Sequence, residues 1–132
     1  MARLCVVAAL LFCLSVVTQA DRLLGARKKV DVDSPAVQQA LDFALYEYNK
    51  ASNDRYQARV VKVRNAEQQI VSGTIFYLDV DVGRTQCRKP TIDVKKCELH
   101  TDANLAKTTT CSFQVYTVPW RPKTELQAFK CA

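Results

Sequence analysis

Residues 56–82 read YQARVVKVRNAEQQIVSGTIFYLDVDV, and this stretch decides the fold class. From Thr74 to Val82, the apolar Phe76, Leu78, Val80 and Val82 share one face while Asp79 and Asp81 lie on the other. That period of two is the mark of a half-buried strand. Tyr56 to Gln69 carries Val60, Val61 and Val63 among long polar residues and reads as its partner. Ser72-Gly73 between them is a small-residue hairpin turn. Toward the C-terminus the pattern repeats: Cys111 to Val118 puts Phe113 and Val115 on one face and Gln114 and Tyr116 on the other. Pro119-Trp120-Arg121-Pro122 then turns the chain, and Glu125 to Lys130 is a last short strand. Lys89 to Thr109 is long, polar and loop-like.

Toward the N-terminus the period changes. Ser34-Pro35 offers an N-cap followed by proline at the first helical position. Val37, Ala40, Leu41, Ala44, Leu45 and Tyr48 then recur at steps of three and four, with Gln38, Gln39, Asp42, Glu47 and Asn49 on the other side. This is one amphipathic helix to about Lys50, ended by the turn formers Ala51-Ser52-Asn53-Asp54. Asp21 to Val32 lacks sustained periodicity and reads as an arm, mobile or leading into a first strand. One helix followed by antiparallel strands predicts an α+β domain with the helix packed across the sheet.

The first 20 residues stand apart. They hold one basic residue, Arg3, and no acidic one, and Leu4 to Val17 is apolar except for Ser15. With Thr18-Gln19-Ala20 following, this is the order of a secretory signal peptide; the run is shorter than the roughly 20 residues a bilayer span needs. Processing would leave residues 21–132 as a single domain. Its net charge would be 18 basic minus 13 acidic residues, or +5. The charges are scattered, so neither nucleic acid nor a membrane surface is implied. The one basic run, Arg27-Lys28-Lys29, reads as a solvated segment.

Of six cysteines, Cys5 and Cys13 fall in the signal segment, which leaves Cys87, Cys97, Cys111 and Cys131. An even number in a small secreted domain points to two disulfides, with three pairings open. No metal site is expected, because no CxxC-type pair exists and His100 is the only histidine. The same residues argue against an enzyme, and no cofactor is expected. Oxidised cysteines are not nucleophiles, one histidine cannot supply two-histidine chemistry, and no glycine-rich loop could cradle phosphate. Asp79 and Asp81 read as solvated outer-face residues, and His100 as a solvent-facing residue of the polar loop.

Three segments carry a resemblance: Gln69-Ile70-Val71-Ser72-Gly73, Pro119-Trp120, and Leu23-Leu24-Gly25 in the arm. Together with Glu47 to Asp54, Gly83 to Cys87 and the cysteine spacing, they make the chain similar to the type 2, secreted cystatins. Within that family they point to the branch of cystatin C and egg-white cystatin. The resemblance covers essentially all of residues 21–132. It implies the cystatin fold, a curved antiparallel sheet of about five strands around the helix, with disulfides Cys87–Cys97 and Cys111–Cys131.

It also implies a function: reversible, competitive, tight-binding inhibition of papain-like cysteine proteases of the cathepsin type. Leu23, Leu24 and Gly25 would run along the non-primed side of the enzyme's cleft, with Leu24 in the S2 subsite. Gly25 would let the chain bend away from the nucleophile. The hairpin Gln69 to Gly73 would fill the centre of the cleft, with Gln69 able to hydrogen-bond through its amide. Pro119 and Trp120 would form the second part of the same wedge. Some secreted cystatins also inhibit the asparaginyl protease legumain through an Asn after the helix, and Ser52, Asn53 and Asp54 match that turn. A monomer is expected, with a hairpin long enough to exchange between two copies. The competing reading, a cationic host-defence protein of the same fold, sits poorly with the intact hairpin, Pro-Trp and glycine.

Overall fold

The computed structural model describes residues 25–90 and 93–132. The signal segment 1–20 and the arm residues Leu23 and Leu24 lie outside the described residues. The elements are β1 (Lys28–Lys29), α1 (Pro35–Ala51), β2 (Tyr56–Val71), β3 (Gly73–Arg88), a 3-10 turn (Val94–Lys96), β4 (Thr108–Val118) and β5 (Lys123–Cys131). The five strands form one sheet in sequence order, β1-β2-β3-β4-β5, antiparallel throughout.

The helix begins as its sequence requires. Ser34 Oγ accepts the Val37 N–H at 3.4 Å and Pro35 occupies the first turn. Val37, Ala40, Leu41, Ala44 and Leu45 are buried on the face that meets the sheet. Phe76, Leu78, Val80 and Val82 of β3 and Phe113 and Val115 of β4 meet them. Because α1 touches β2, β3, β4 and β5, its apolar stripe closes a single core. Tyr48 adds an aromatic edge, with its ring centroid 6.3 Å from those of Phe113 and Phe129.

The strands run longer than their alternation suggests. β3 continues past Val82 to Arg88, and β4 begins at Thr108, not at Cys111. Gly83-Arg84-Thr85 lacks an apolar partner pattern. It stays in the sheet because its neighbours hold it: Thr85 Oγ1 donates to the Gln57 carbonyl at 2.7 Å, and Thr85 is fully buried. Three register shifts, between Tyr56 and Ala58, Val60 and Lys62, and Val63 and Asn65, interrupt β2, and irregularities of this kind bend a strand. The polar stretch after β3 is anchored by the Cys87–Cys97 disulfide and a bridge between Thr85 and Leu99, while Cys111–Cys131 ties β4 to β5.

Three side chains depart from the expectation. Asn49, placed on the polar side by helical spacing, is buried. Its Nδ2 donates to the Ala58 carbonyl at 2.9 Å and its Oδ1 accepts the Ala58 N–H at 2.8 Å. Helical spacing cannot show that a neighbouring strand needs a polar partner at that point. Asp81 is not a solvated outer-face residue; Arg64 Nε and Thr110 Oγ1 both donate to its Oδ1, at 2.7 and 2.8 Å. His100 is half-buried, not solvent-facing. Its ring stands edge-on to Tyr56 at 4.5 Å.

Candidate functional site

The β2–β3 pairing is unbroken from Asn65↔Asp79 to Val71↔Gly73, which leaves Ser72 alone at the tip. Such a turn needs left-handed backbone, and Gly73 supplies it at φ 104°. A Cβ there would also lie 2.7 Å from the Thr117 carbonyl oxygen, so both conformation and space require glycine. The Tyr116 hydroxyl donates to the Ser72 carbonyl from the neighbouring strand. The tip is therefore fixed by the sheet beside it, while Ile70 and Val71 stay 58% and 45% exposed.

The register of β4 brings the second turn to the same end. Thr74 pairs with Thr117, and Thr117 with Thr124, so the turn 119–122 between β4 and β5 projects beside the Ser72 tip. Trp120 is 65% exposed on this turn. The third segment arrives through β1, whose Lys28 pairs with Gln68. Followed back toward Gly25, the chain runs along the outer side of the hairpin. A Cβ on Gly25 would lie 2.1 Å from the Ile70 carbonyl oxygen. Glycine is thus required here by the close approach of two backbones, a reason beyond the bend expected from sequence.

Gln69 does not offer a free amide. Its Nε2 donates to the Gly25 carbonyl at 2.9 Å, and its Oε1 accepts the Tyr77 hydroxyl at 2.7 Å. Both ends of the amide are thus engaged within the chain. Three pieces of chain distant in sequence thus meet at one end of the sheet: Gly25, Gln69 to Gly73, and Pro119-Trp120. That end presents exposed apolar side chains on backbone fixed from beneath.

Residues 25–120 match the cystatin domain. The chain belongs to the cystatin family. Its relatives include chicken cystatin, 48% identical over 111 residues, which are 84% of this chain and 80% of that one. Bovine cystatin-C is 47% identical over 110 residues, 83% of this chain and 74% of that one. Among solved structures, dimeric human cystatin F superposes with a TM-score of 0.76 at 29% identity, over 82% of this chain and 86% of that chain. Cystatins are protease inhibitors, not enzymes, and membership supports cysteine protease inhibition by this chain.

At the opposite end of this cystatin, Ser52, Asn53 and Asp54 follow the helix. Ser52 caps it, its N–H donating to the Tyr48 carbonyl at 2.9 Å, and its own carbonyl accepts Lys89 Nζ at 2.8 Å. Asp54 Oδ1 accepts the Tyr56 N–H at 3.0 Å, and Oδ2 meets Arg84 Nε and Nη2 at 2.8 and 2.7 Å. Partial burial would raise the Asp54 pKa, but the Tyr56 N–H and the Arg84 guanidinium outweigh it and hold the carboxyl below its ordinary 3.8. Burial and the nearby Asp54 charge raise the Tyr48 phenol above its ordinary 10.0. Asn53 stands exposed between two braced neighbours. Arg84 lies 11 residues along β3 from Gly73, roughly 35 Å at strand rise.

Tyr77 and Tyr116 support the hairpin and were not found by sequence reasoning. Tyr77 and Tyr116 look like ordinary outward strand residues. Only pairing across strands reveals that their hydroxyls reach the hairpin.

Proposed function

We propose that this chain is a reversible, competitive, tight-binding inhibitor of papain-like cysteine proteases of the cathepsin type. It enters the active-site cleft with the arm Leu23-Leu24-Gly25, the hairpin Gln69 to Gly73, and Pro119-Trp120. The observation that carries this reading is the convergence of the hairpin tip, the Trp120 turn and Gly25 at one end of the sheet. Apolar Ile70, Val71 and Trp120 are exposed there on rigid backbone. Exposed apolar groups that cluster mark a binding surface, and a fixed backbone lowers the ordering cost of association. Ser72 and Gly73 fill the centre of the cleft with a turn held by strands on both sides, so no extended peptide bond is offered to the nucleophile. The leucine pair supplies apolar side chains for the non-primed subsites.

Secretion follows on this reading from the signal-like residues 1–20, with residues 21–132 the working monomer. A second site at Asn53 takes legumain. It is supported by the bracing of Ser52 and Asp54 around an exposed Asn53, far enough from the hairpin for both enzymes to bind at once. The test is titration of active papain at nanomolar concentration with oxidised residues 21–132. Stoichiometric, reversible inhibition with uncleaved inhibitor is expected. Full papain activity beside a folded, disulfide-bonded domain overturns the reading.

A further inference from the structure

The outer face of β2 and β3 carries a chain of contacts that ends on the arm. Tyr77 alternates with the core residues Phe76 and Leu78, so its ring lies on the sheet face away from α1. Arg27 lies over that ring, its guanidinium carbon 3.6 Å from the centroid, and its Nε is 3.0 Å from Glu67 Oε2. The Tyr77 hydroxyl donates to Gln69 Oε1, which fixes the direction of the carboxamide, and the opposite end of that amide donates to the Gly25 carbonyl. One tyrosine therefore touches the arm twice, through its ring at Arg27 and through Gln69 at Gly25. The next two residues, Lys28 and Lys29, join the sheet opposite Gln68 and Glu67.

From these contacts we infer that Tyr77, Gln69 and Arg27 form a clamp whose work is positional. It fixes Gly25 to Arg27 against the hairpin, so that the leucine pair before Gly25 starts from a set point beside Ile70. The inference rests on the inhibitor reading and deepens it: Tyr77 is a positioning residue for the arm, and its hydroxyl touches no protease. It also gives Arg27, the first residue of the only basic run, a contact of its own. The Arg27–Glu67 pair alone would contribute little, being at the surface. The guanidinium over the Tyr77 ring adds a contact that salt screens less.

The test removes one oxygen atom. Tyr77→Phe keeps the ring under Arg27 and releases the Gln69 amide; Gln69→Glu keeps an acceptor for Tyr77 and removes the donor to Gly25. The first readout needs no protease target: the rate of tryptic cleavage after Arg27 in folded residues 21–132. Loss of one hydrogen bond should speed cleavage by about three- to tenfold in either variant, with the global urea midpoint nearly unmoved. The second readout is papain affinity, measured for Tyr77→Phe in the natural sequence and in a Leu23→Ala/Leu24→Ala background. A loss of about three- to tenfold is expected in the first and none in the second, because the arm there has no leucines to position. An unchanged cleavage rate overturns the clamp. So does an equal affinity loss in both backgrounds, which would make Tyr77 a support of the hairpin alone. If the natural protein left papain active, the inhibitor reading would fail, and the cleavage rates would still decide the clamp.

Discussion

Trp120→Ala separates binding from folding more cleanly than any other change at the candidate edge. A tryptophan side chain offers roughly 150–250 Å² for burial. With Trp120 65% exposed, about 100–160 Å² of that remains free to be covered by a partner. At about 25 cal/mol per Å², covering it stabilises a complex by about 2.5–4 kcal/mol. Removing the side chain should therefore raise the papain inhibition constant by about two to three orders of magnitude. The third already covered by the protein itself is worth about 1–2 kcal/mol of fold stability as an upper bound. The assay pairs a papain titration with a urea unfolding curve on the same preparation. A variant that inhibits papain within about threefold of the natural protein refutes the role given to this turn. A variant that inhibits poorly because its unfolding free energy has fallen by much more than about 2 kcal/mol refutes the idea that Trp120 faces outward for a partner.

Gly73→Ala places a side chain at φ 104° and 2.7 Å from the Thr117 carbonyl oxygen. It should cost about 2 kcal/mol or more in urea unfolding, and an unchanged midpoint would mean the turn relaxes freely. Asn49→Ala leaves the buried N–H and carbonyl of Ala58 without partners and should cost about 2–5 kcal/mol. Hydrogen exchange at Ala58 should accelerate with it. Asn53→Lys should abolish legumain inhibition and spare papain inhibition, whereas joint loss in a folded protein contradicts two separate sites. Asp54 has a folded pKa below its ordinary 3.8, so its ties contribute stability above that value, lost as pH falls through the lower folded pKa. Asp54→Asn should therefore unfold more easily than the natural protein at pH 6, and the gap should close toward pH 2; a gap constant with pH would show that the carboxylate charge is not the source.

The helix and the hairpin were legible because each carries a period. The Val37 to Tyr48 stripe and the Phe76 to Val82 alternation state which side is buried without any knowledge of the partner. The ends of β3 and β4 were not legible, because Arg84, Thr85 and Thr108 stay in the sheet through pairing and a buried hydroxyl bond, not through apolar pattern. Asn49 and Asp81 were misread for a related reason. Helical spacing and strand alternation assign polar residues to the solvent side, and neither pattern shows the partners that Asn49 finds on the next strand and Asp81 finds on both neighbouring strands. His100 was misread because a single histidine in a polar loop gives no sign that Tyr56 stands beside it.

The same distinction separates the parts of the candidate site. What would touch a partner under the proposed function is written locally: a tryptophan after a proline, two apolar residues before Ser-Gly, a leucine pair before a glycine. What holds those parts in one line is written in registers. Lys28 opposite Gln68, Thr74 opposite Thr117 and Thr117 opposite Thr124 bring the arm and two turns to one end of the sheet. Gly25 and Gly73 let backbone and carbonyl approach where any side chain would intervene. A slip of one residue in β4 would turn Tyr116 from the Ser72 carbonyl and reverse the face of every β4 side chain. It would do so without altering a single residue at the tips. Side chains at the tips can therefore be exchanged without disturbing their alignment, which rests on the core stripe, the glycines and the strand pairing.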